Sequence, residues 1–303
     1  LENHLQILEK LEGSRPLLGN SAAVCRAVRD PERLAACFCR ARIKYPQISS
    51  SPQTKGSNVR DWLIKPVRSA GGLGVNHYQS NETEFTGQNY LQEFIEGESR
   101  AGVFIADGTS AWLMGVTRQL VGEAFLNAGQ FSYCGSIGPL QTDENESGQW
   151  SRIGNSLTAD FGLKGLFGVD AICHAGDIYP LEVNPRYTAS VEVLERALQL
   201  PVVAFHCEAC NGNLPAMPVP EAKSMMAKAY LFAGQNLRSP KDIETIYDAS
   251  ESIPSSADIP HGDTVIARGH PLMTVLTCIK NQEDAIQALM KRAKLLYSQF
   301  KVV

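Results

Sequence analysis

Ile178-Tyr-Pro-Leu-Glu-Val-Asn-Pro-Arg-Tyr-Thr-Ala-Ser-Val-Glu192 is the stretch from which the architecture can be predicted. Within it, apolar Leu181 and Val183 alternate with two polar residues, Glu182 and Asn184. Successive side chains of a β-strand point to opposite faces, so a strand here places the carboxylate and the amide on the same face. Two oxygen ligands would then point in the same direction.

A second short strand is predicted just upstream, over residues 167–173, and it carries Asp170. Gly176-Asp177 is predicted to form the tight turn between the two strands. Pairing the strands would bring the Asp170 carboxylate beside the carboxylate and the amide of the downstream strand. Such hard oxygen ligands suit Mg²⁺, which keeps its other positions for water and phosphate. The alternative is an ordinary hairpin with polar residues on its solvent-facing side.

A glycine-rich loop far upstream is the second candidate site. A short apolar strand, residues 62–64, ends in Lys65, and three glycines follow it in a loop: Gly71, Gly72 and Gly74. Glycine lets backbone amides approach a phosphate closely, and a nearby lysine supplies positive charge for the same group. The spacing matches neither the Walker loop nor the dinucleotide-binding loop. Lysine, glycine loop and distant acidic residues together predict a nucleotide site.

Four segments in this order resemble the signature of the ATP-grasp superfamily over about residues 29–210. They are Ile64-Lys-Pro66 with the glycine loop, Leu91-Gln-Glu-Phe-Ile-Glu-Gly97, Gly168-Val-Asp170 and Leu181-Glu-Val-Asn-Pro-Arg186. Within the superfamily, the sequence resembles the carboxylate–amine ligases related to biotin carboxylase, a group that includes tyramine–glutamate ligase. The resemblance implies an α+β fold with a small lid, a mixed-sheet nucleotide domain and a small C-terminal α+β domain. It also implies ATP and Mg²⁺, or Mn²⁺, as cofactors.

The resemblance assigns a metal-binding role to Asp170, Glu182 and Asn184. It implies that the nucleotide is bound by Lys65, Gly71, Gly72, Gly74, Gln92, Glu93, Phe94, Ile95 and Glu98. Residues 92–95 would form a hinge that hydrogen-bonds adenine through backbone groups. For Glu98 a ribose contact is one interpretation and an exposed loop carboxylate is the other.

Two further basic positions carry predicted roles. Arg186 lies directly after the metal strand, where its planar guanidinium could hold a carboxylate or a phosphate. A salt bridge to Glu192 or Glu195 is the alternative. Arg186 and Lys65 are the predicted catalytic residues. In the superfamily, a basic residue near the helix that enters the nucleotide domain often touches phosphate, and the candidates are Arg29 and Arg33.

Turn chemistry and periodicity divide the chain into four predicted segments. The resemblance implies that residues 1–50 are a remnant of an N-terminal Rossmann-like domain, otherwise mostly absent, and Asp30-Pro31 predicts the start of a linking helix there. The resemblance also makes residues 51–100 the lid and 101–214 the core with the metal site, and residues 215–303 are predicted to form a β-rich C-terminal domain. Three local predictions are a short strand at 17–20, alternating strands over 101–121 and a glycine-rich loop at 131–139.

Composition limits the classes of partner. The chain has 303 residues, of which 44% are hydrophobic and 20% charged, as in ordinary soluble proteins. Its formal charge of -4 offers no electrostatic footprint for nucleic acid or an anionic membrane.

The eight cysteines lack zinc-site spacing, so free thiols and a cytoplasmic location are expected. His261, Asp263 and His270 could form a metal cluster, but they meet no ligand spacing, and turn-flanking surface residues are the favoured interpretation.

The predicted function is that of an ATP-dependent ligase. It would join a small-molecule carboxylate to an amine through an acyl phosphate and release ADP and phosphate. One alternative is a biotin-carboxylase-like step with bicarbonate, and another is an ATP-binding regulatory module without turnover. No nucleic-acid or membrane partner is predicted, and a homodimer remains open.

Overall fold

The computed structural model describes residues 3–50, 62–79, 88–243 and 254–303. The sequence also predicts loops at 49–58 and 250–259 and a polar segment at 79–89. Most of the first loop, most of the polar segment and the start of the second loop lie outside these ranges. The described chain is a mixed α+β protein with antiparallel sheets, as expected. In the ranges that the structure describes, no helix is both long and apolar enough to cross a membrane.

The helices are α1 (Leu5–Glu12), α2 (Ala22–Ala27), α3 (Pro31–Arg40), α4 (Glu144–Phe161), α5 (Ala189–Leu198), α6 (Val202–Cys210) and α7 (Gln282–Tyr297). The strands are β1 (Ile48–Ser49), β2 (Trp62–Pro66), β3 (Asn76–His77), β4 (Asn89–Glu93), β5 (Glu98–Asp107), β6 (Ala111–Val121), β7 (Tyr133–Gly138), β8 (Lys164–His174), β9 (Asp177–Asn184), β10 (Met225–Phe232), β11 (Leu237–Arg238), β12 (Ser256–Ala257), β13 (Val265–Ile266), β14 (Pro271–Ile279) and β15 (Lys301–Val302).

The chain forms two compact units. Unit 1 comprises Leu1–Val116, Gln141–Glu192 and Leu200–Val219, and unit 2 comprises Thr117–Leu140, Val193–Gln199 and Pro220–Val303. The division into four segments remains a prediction.

The N-terminal part of unit 1 is helical. Asp30 accepts hydrogen bonds from the backbone N–H groups of Glu32 and Arg33, so α3 begins where Asp-Pro predicts it. The predicted strand at residues 17–20 is wrong, because that segment is irregular. It is held by the Asn20 side chain, which both donates to and accepts from the backbone of Lys164. Two adjacent leucines are too short a pattern to tell a strand from an anchored loop.

A small sheet with strand order β1-β4-β2-β3 carries the glycine loop. Its core consists of Trp62, Ile64, Tyr78 and Leu91. The sequence predicts a strand over residues 90–95, and the observed strand β4 ends at Glu93, two residues earlier. It pairs with β1 on one side and β2 on the other.

The larger sheet of unit 1 runs in the order β6-β5-β8-β9. The predicted alternation of β5 is wrong, because six consecutive residues, Ala101–Ala106, are buried. Both faces of the strand are covered, a situation in which periodicity disappears. Phe104 stacks on Phe167 with ring centroids 4.9 Å apart and also packs near Trp150 of α4.

The hairpin between β8 and β9 forms as predicted, with its turn one residue earlier. Ala175 and Gly176 have φ of 50° and 83°, and these two residues, rather than Gly176-Asp177, connect the strands. Positive φ at both central positions belongs to a type I′ turn, whose twist matches that of antiparallel strands.

Unit 2 contains the sheet β12-β14-β10-β7-β6, a small sheet β13-β11-β15, and α7. The glycine-rich segment predicted as a loop is strand β7, whose residues 135–138 pair with β10. A Cβ at Gly135 would collide with the carbonyl of Lys228, so the glycine there permits close strand approach. Helix α7 buries four residues that recur at helical spacing along one face: Ala285, Leu289, Ala293 and Leu296.

Candidate functional site

The three predicted metal ligands lie together on the β8–β9 hairpin. Asp170 and Glu182 are directly opposed partners, and the register shifts immediately beyond them, between Asp170 and Ala171. The Asn184 amide nitrogen donates to Asp170 Oδ2 at 3.0 Å and to Glu182 Oε1 at 3.5 Å. An irregularity in register re-aims side chains and is frequent beside active sites. Two carboxylates and an amide oxygen of one hairpin thus form a donor set that fits a hard divalent cation.

Glu182 experiences two opposing influences. Although water reaches its side chain, partial desolvation by the surrounding protein raises its pKa. The charge of Lys65, hydrogen bonding with Asp170 and Asn184, and the charge of Arg29 outweigh that effect, and the net result is a lowered pKa. The carboxylate is therefore held in its ionised form, which is the form that binds a cation.

Lys65 lies on strand β2 of the small sheet, and its charge interacts with the acidic pair. Its Nζ donates to Gln92 Oε1 at 3.1 Å and lies 5.9 Å from the ring centroid of Tyr90. Desolvation lowers the pKa of Lys65, but interactions with Tyr90, Glu182 and Asp170 outweigh it and raise the pKa. The ammonium group is therefore charged, and its charge interacts with the carboxylates of Glu182 and Asp170.

The glycine loop adopts the backbone conformation that its composition requires. Gly71, Gly72 and Gly74 have φ of 63°, 79° and 77°, a region that other residues rarely enter. The Leu73 N–H donates to Ala70 O at 3.3 Å, so the loop is a compact series of turns. Successive amides in such turns can form an anion-binding concavity.

The structure distinguishes the two arginine candidates. Arg29 Nη2 donates to the carbonyl oxygen of Ser69 in the glycine loop at 3.1 Å, and its charge acts on Glu182. Arg33 instead lies over the ring of Phe161, 5.9 Å from its centroid. Arg29 is therefore the basic residue that lies beside both parts of the site.

Arg186 follows the metal strand and contacts the Asn184 side chain. Its Nη2 donates to Asn184 Oδ1 and its Nη1 to the carbonyl of Tyr187, both at 3.3 Å. The Arg186 side chain is exposed. A single amide thus links this guanidinium to the two carboxylates.

The predicted hinge is only partly placed as expected. Gln92 is 4% exposed and its side chain holds Lys65, while the Glu93 N–H donates to Gln47 O at 2.8 Å. The backbone of these two residues belongs to the small sheet. Phe94 and Ile95 lie beyond the end of β4, and their adenine contact remains a prediction.

Glu98 is not an exposed loop carboxylate. It is the first residue of β5 and forms an ion pair with Arg100, which also pairs with Glu146 at 2.6 Å. The Arg100 side chain is 23% exposed, so the group is a partly buried network at the start of β5. The ribose contact of Glu98 remains a prediction.

The Cys207-x-x-Cys210 pair and its neighbour His206 have structural roles. His206 Nδ1 accepts the Leu166 N–H at 2.9 Å, and a Cβ at Gly165 would collide with the imidazole ring. Within the described ranges, no group of three or more His, Cys, Asp or Glu side chains could hold a metal ion. The hairpin site differs from such a group because an amide supplies its third oxygen.

Sequence reasoning missed the Gln92 side chain as a partner of Lys65. Gln92 pairs with Leu63 and Lys65 pairs with Tyr90, so the side chains of Lys65 and Gln92 occupy diagonal positions on the same face of two neighbouring strands. That proximity becomes visible only once the register between β2 and β4 is known.

Comparison with known proteins agrees with this fold. A family model described as an ATP-grasp domain matches residues 32–190, just over half of the chain. The chain therefore belongs to the ATP-grasp family, as the sequence resemblance indicated. ATP with Mg²⁺ or Mn²⁺ serves as cofactor in this family, in agreement with the donor set on the hairpin.

Individual relatives are distant. The formate-dependent phosphoribosylglycinamide formyltransferase of Stenotrophomonas maltophilia is 28% identical over 171 residues, which cover 52% of this chain and 41% of that protein. The chain thus spans about two fifths of the length of this curated relative.

Two solved structures share the fold. Biotin carboxylase from Campylobacter jejuni superposes with a TM-score of 0.72 at 11% identity, covering 100% of this chain and 72% of that one. N5-carboxyaminoimidazole ribonucleotide synthetase from Thermotoga maritima gives a TM-score of 0.69 at 18% identity, covering 100% and 80%.

Proposed function

We propose that this protein is an ADP-forming ligase that joins a small-molecule carboxylic acid to an amine through an acyl phosphate. The observation that carries the proposal is the grouping of Asp170, Glu182 and Asn184 on one hairpin, where the Asn184 amide contacts both carboxylates, with the charge of Lys65 acting on the same pair. A cation beside a pair of carboxylates, with a glycine loop nearby, suits the binding of a metal–nucleotide complex. Phosphoryl transfer needs such charge neutralisation and alignment more than a protein base.

Each part of the site has an assigned role. Asp170, Glu182 and the Asn184 amide oxygen would hold the divalent cation, which when bound neutralises charge on the ATP phosphates. Lys65 would hold the same phosphates together with Arg29 and the glycine-loop amides. Lys65 carries a raised pKa and is therefore protonated at neutral pH.

Arg186 is assigned to the acid substrate. Its exposed, planar guanidinium can form two parallel hydrogen bonds to a carboxylate or to an acyl phosphate. A carboxylate oxygen then attacks the γ-phosphorus of ATP, the bond from that phosphorus to the bridging oxygen breaks, and ADP leaves. The amine nitrogen next attacks the acyl carbon. The acyl carbon–oxygen bond breaks, phosphate departs with the former carboxylate oxygen, and the amine proton passes to solvent.

The relatives support a carboxylate substrate. The name of the Stenotrophomonas protein states formate dependence, and formate is the simplest carboxylate. Bicarbonate is a second candidate acid, favoured by the fold shared with biotin carboxylase. The eight cysteines are free thiols, which supports the predicted cytoplasmic location.

The test is ADP release with MgATP against a panel of carboxylic acids, including formate, glutamate and bicarbonate, each with and without amines such as tyramine. We expect release that requires one acid together with one amine. Glu182→Gln should abolish it, whereas Glu208→Gln, at an exposed position of α6, should not. ATP binding without release for every pair would instead support a regulatory nucleotide-binding module.

A further inference from the structure

We propose that a cleft in unit 1, bordered by Arg42 and Arg152, binds a phosphate group, either as inorganic phosphate or as part of a small phosphomonoester. The cleft has a volume of about 90 Å³ and lies at the turn end of the β8–β9 hairpin. Asp177 at this end of β9 precedes Glu182 by five residues, which corresponds to about 16 Å along a strand. The cleft is therefore separate from the acidic pair and independent of the proposed function.

The cleft has an apolar floor and a braced wall. Its floor consists of Ile43, Ile153 and Ile178, which are all buried. Gln149 joins α4 to the hairpin, because its Nε2 donates to Gly176 O at 2.8 Å and its Oε1 accepts the Ile178 N–H at 3.2 Å. The segments that carry the rim are therefore already held together without a ligand.

The rim of the cleft carries a surplus of positive charge. Lys44 and Asp177 form an ion pair at 2.6 Å, so these two charges offset each other. Arg42 and Arg152 are exposed, and within the described ranges neither side chain takes part in a hydrogen bond or an ion pair. A guanidinium presents a planar fork of N–H donors that matches the geometry of a phosphate. Two such forks are thus available to an anion in the cleft.

The backbone at Arg42 is a second, independent observation. The Ile43 N–H donates to Phe38 O at 2.9 Å and the Arg42 N–H donates to Cys39 O at 3.1 Å, the pattern of a Schellman motif at the end of α3. Arg42 occupies the left-handed position of this motif, with φ of 53°, where glycine is the usual residue. A Cβ makes this conformation unfavourable, and residues held in it are frequent at functional sites. A binding role for the Arg42 side chain explains why an arginine stands there.

A phosphate group suits this rim better than a carboxylate does. It carries about two negative charges near neutral pH and has several terminal oxygens, so it can accept hydrogen bonds from both guanidinium groups at once. An apolar body attached to the phosphate would gain contact with the isoleucine floor. We therefore expect phenyl phosphate to bind more tightly than inorganic phosphate, and benzoate to bind more weakly than either. Equal affinity for the two phosphates would identify inorganic phosphate as the ligand.

The test is protection of the two arginines from phenylglyoxal, followed for each residue by peptide mass spectrometry. Phenyl phosphate should slow the modification of Arg42 and Arg152 and leave that of Arg15 unchanged, because Arg15 is an exposed residue of unit 1 outside the cleft. In Arg42→Gly, the concentration that half-protects Arg152 should rise about tenfold, and Arg152→Gln should have the same effect on Arg42. The control Arg15→Gln should change neither value.

Urea unfolding separates a binding role of Arg42 from a structural one. Because glycine favours the left-handed position, Arg42→Gly should unfold at an equal or higher urea concentration than the unmodified sequence. A lower midpoint would assign the arginine to the fold and overturn the proposal. Modification of Arg42 and Arg152 at the same rate with and without phenyl phosphate, or half-protection that shifts equally in Arg15→Gln, would also overturn it. Each of these outcomes leaves the proposed function standing, because the measurement does not involve the acidic pair.

Discussion

Lys65 on β2 donates a 3.1 Å hydrogen bond to the side chain of Gln92 on β4, and this contact fixes the ammonium group of the candidate site. Gln92 is 4% exposed, so its amide is held by packing and cannot easily follow a moving lysine. Lys65 also interacts with the charges of Glu182 and Asp170. The buried, neutral amide of Gln92 therefore determines where the Lys65 ammonium group lies relative to Asp170 and Glu182.

Replacing Gln92 by leucine should weaken nucleotide binding while preserving the fold. Leucine is close in volume and apolar, but it leaves Lys65 without this acceptor. A hydrogen bond to a charged group contributes about 1.5–3 kcal/mol, so we expect affinity for a non-hydrolysable ATP analogue to fall about tenfold in calorimetry. Lys65→Met should lose at least as much. The control Gln141→Leu, at an exposed position, should bind as the unmodified sequence does.

Glu182→Gln should remove the thermal stabilisation that a metal–nucleotide complex gives. A ligand that binds only the folded state raises the melting temperature, and the glutamine supplies one anionic oxygen fewer to the cation. We expect a clear upward shift with magnesium and the analogue for the unmodified sequence and for Glu208→Gln. For Glu182→Gln, a shift of the same size would contradict the metal assignment.

Glu182 should also contribute to acid sensitivity. Its pKa in the folded protein is lowered from the ordinary value of 4.5, so on acidification the unfolded chain takes up the proton first. The stabilisation is therefore complete above that value and is lost as the pH falls through the lowered pKa. In urea unfolding between about pH 6 and about pH 3, Glu182→Gln should lose less stability than the unmodified sequence. An equal loss would show that the carboxylate is not stabilised in the fold.

Two glycines of α4 provide a matched pair for core packing. A Cβ at Gly154 would lie 2.5 Å from the ring of Phe104, whereas a Cβ at Gly148 meets nothing within 4 Å. Gly154→Ala should destabilise the protein by about 1–3 kcal/mol through overpacking. Gly148→Ala should stabilise it by about 0.5–1 kcal/mol, because alanine favours the helix. Urea unfolding of both variants checks the pair, and equal effects would contradict the described packing.

The acidic hairpin could be predicted because its signals are local. Alternation over residues 181–184 and a glycine near the turn specify two paired strands and the face that each side chain takes. The superfamily resemblance added the link to the glycine loop, which lies more than 90 positions upstream of Asp170.

The remaining features depended on tertiary context. Burial of both faces of β5 comes from elements that pack on it, and it erased the alternation used for prediction. The sequence did not reveal strand β7, because Gly135 permits close strand approach and its glycine suggested a loop. The structure favours Arg29 over Arg33 because Arg29 contacts the glycine loop and Arg33 contacts Phe161. The sequence alone gives no distance from either arginine to that loop.

The most direct test of the central claim is the fate of a carboxylate oxygen. The acid identified by ADP release is labelled with ¹⁸O in its carboxylate, the reaction is run to completion with MgATP and the amine, and the phosphate is analysed by mass spectrometry. Attack of the carboxylate on the γ-phosphorus predicts one ¹⁸O atom in each phosphate released. Phosphate free of ¹⁸O, formed alongside the amide, would contradict an acyl phosphate and with it the account of the site given above.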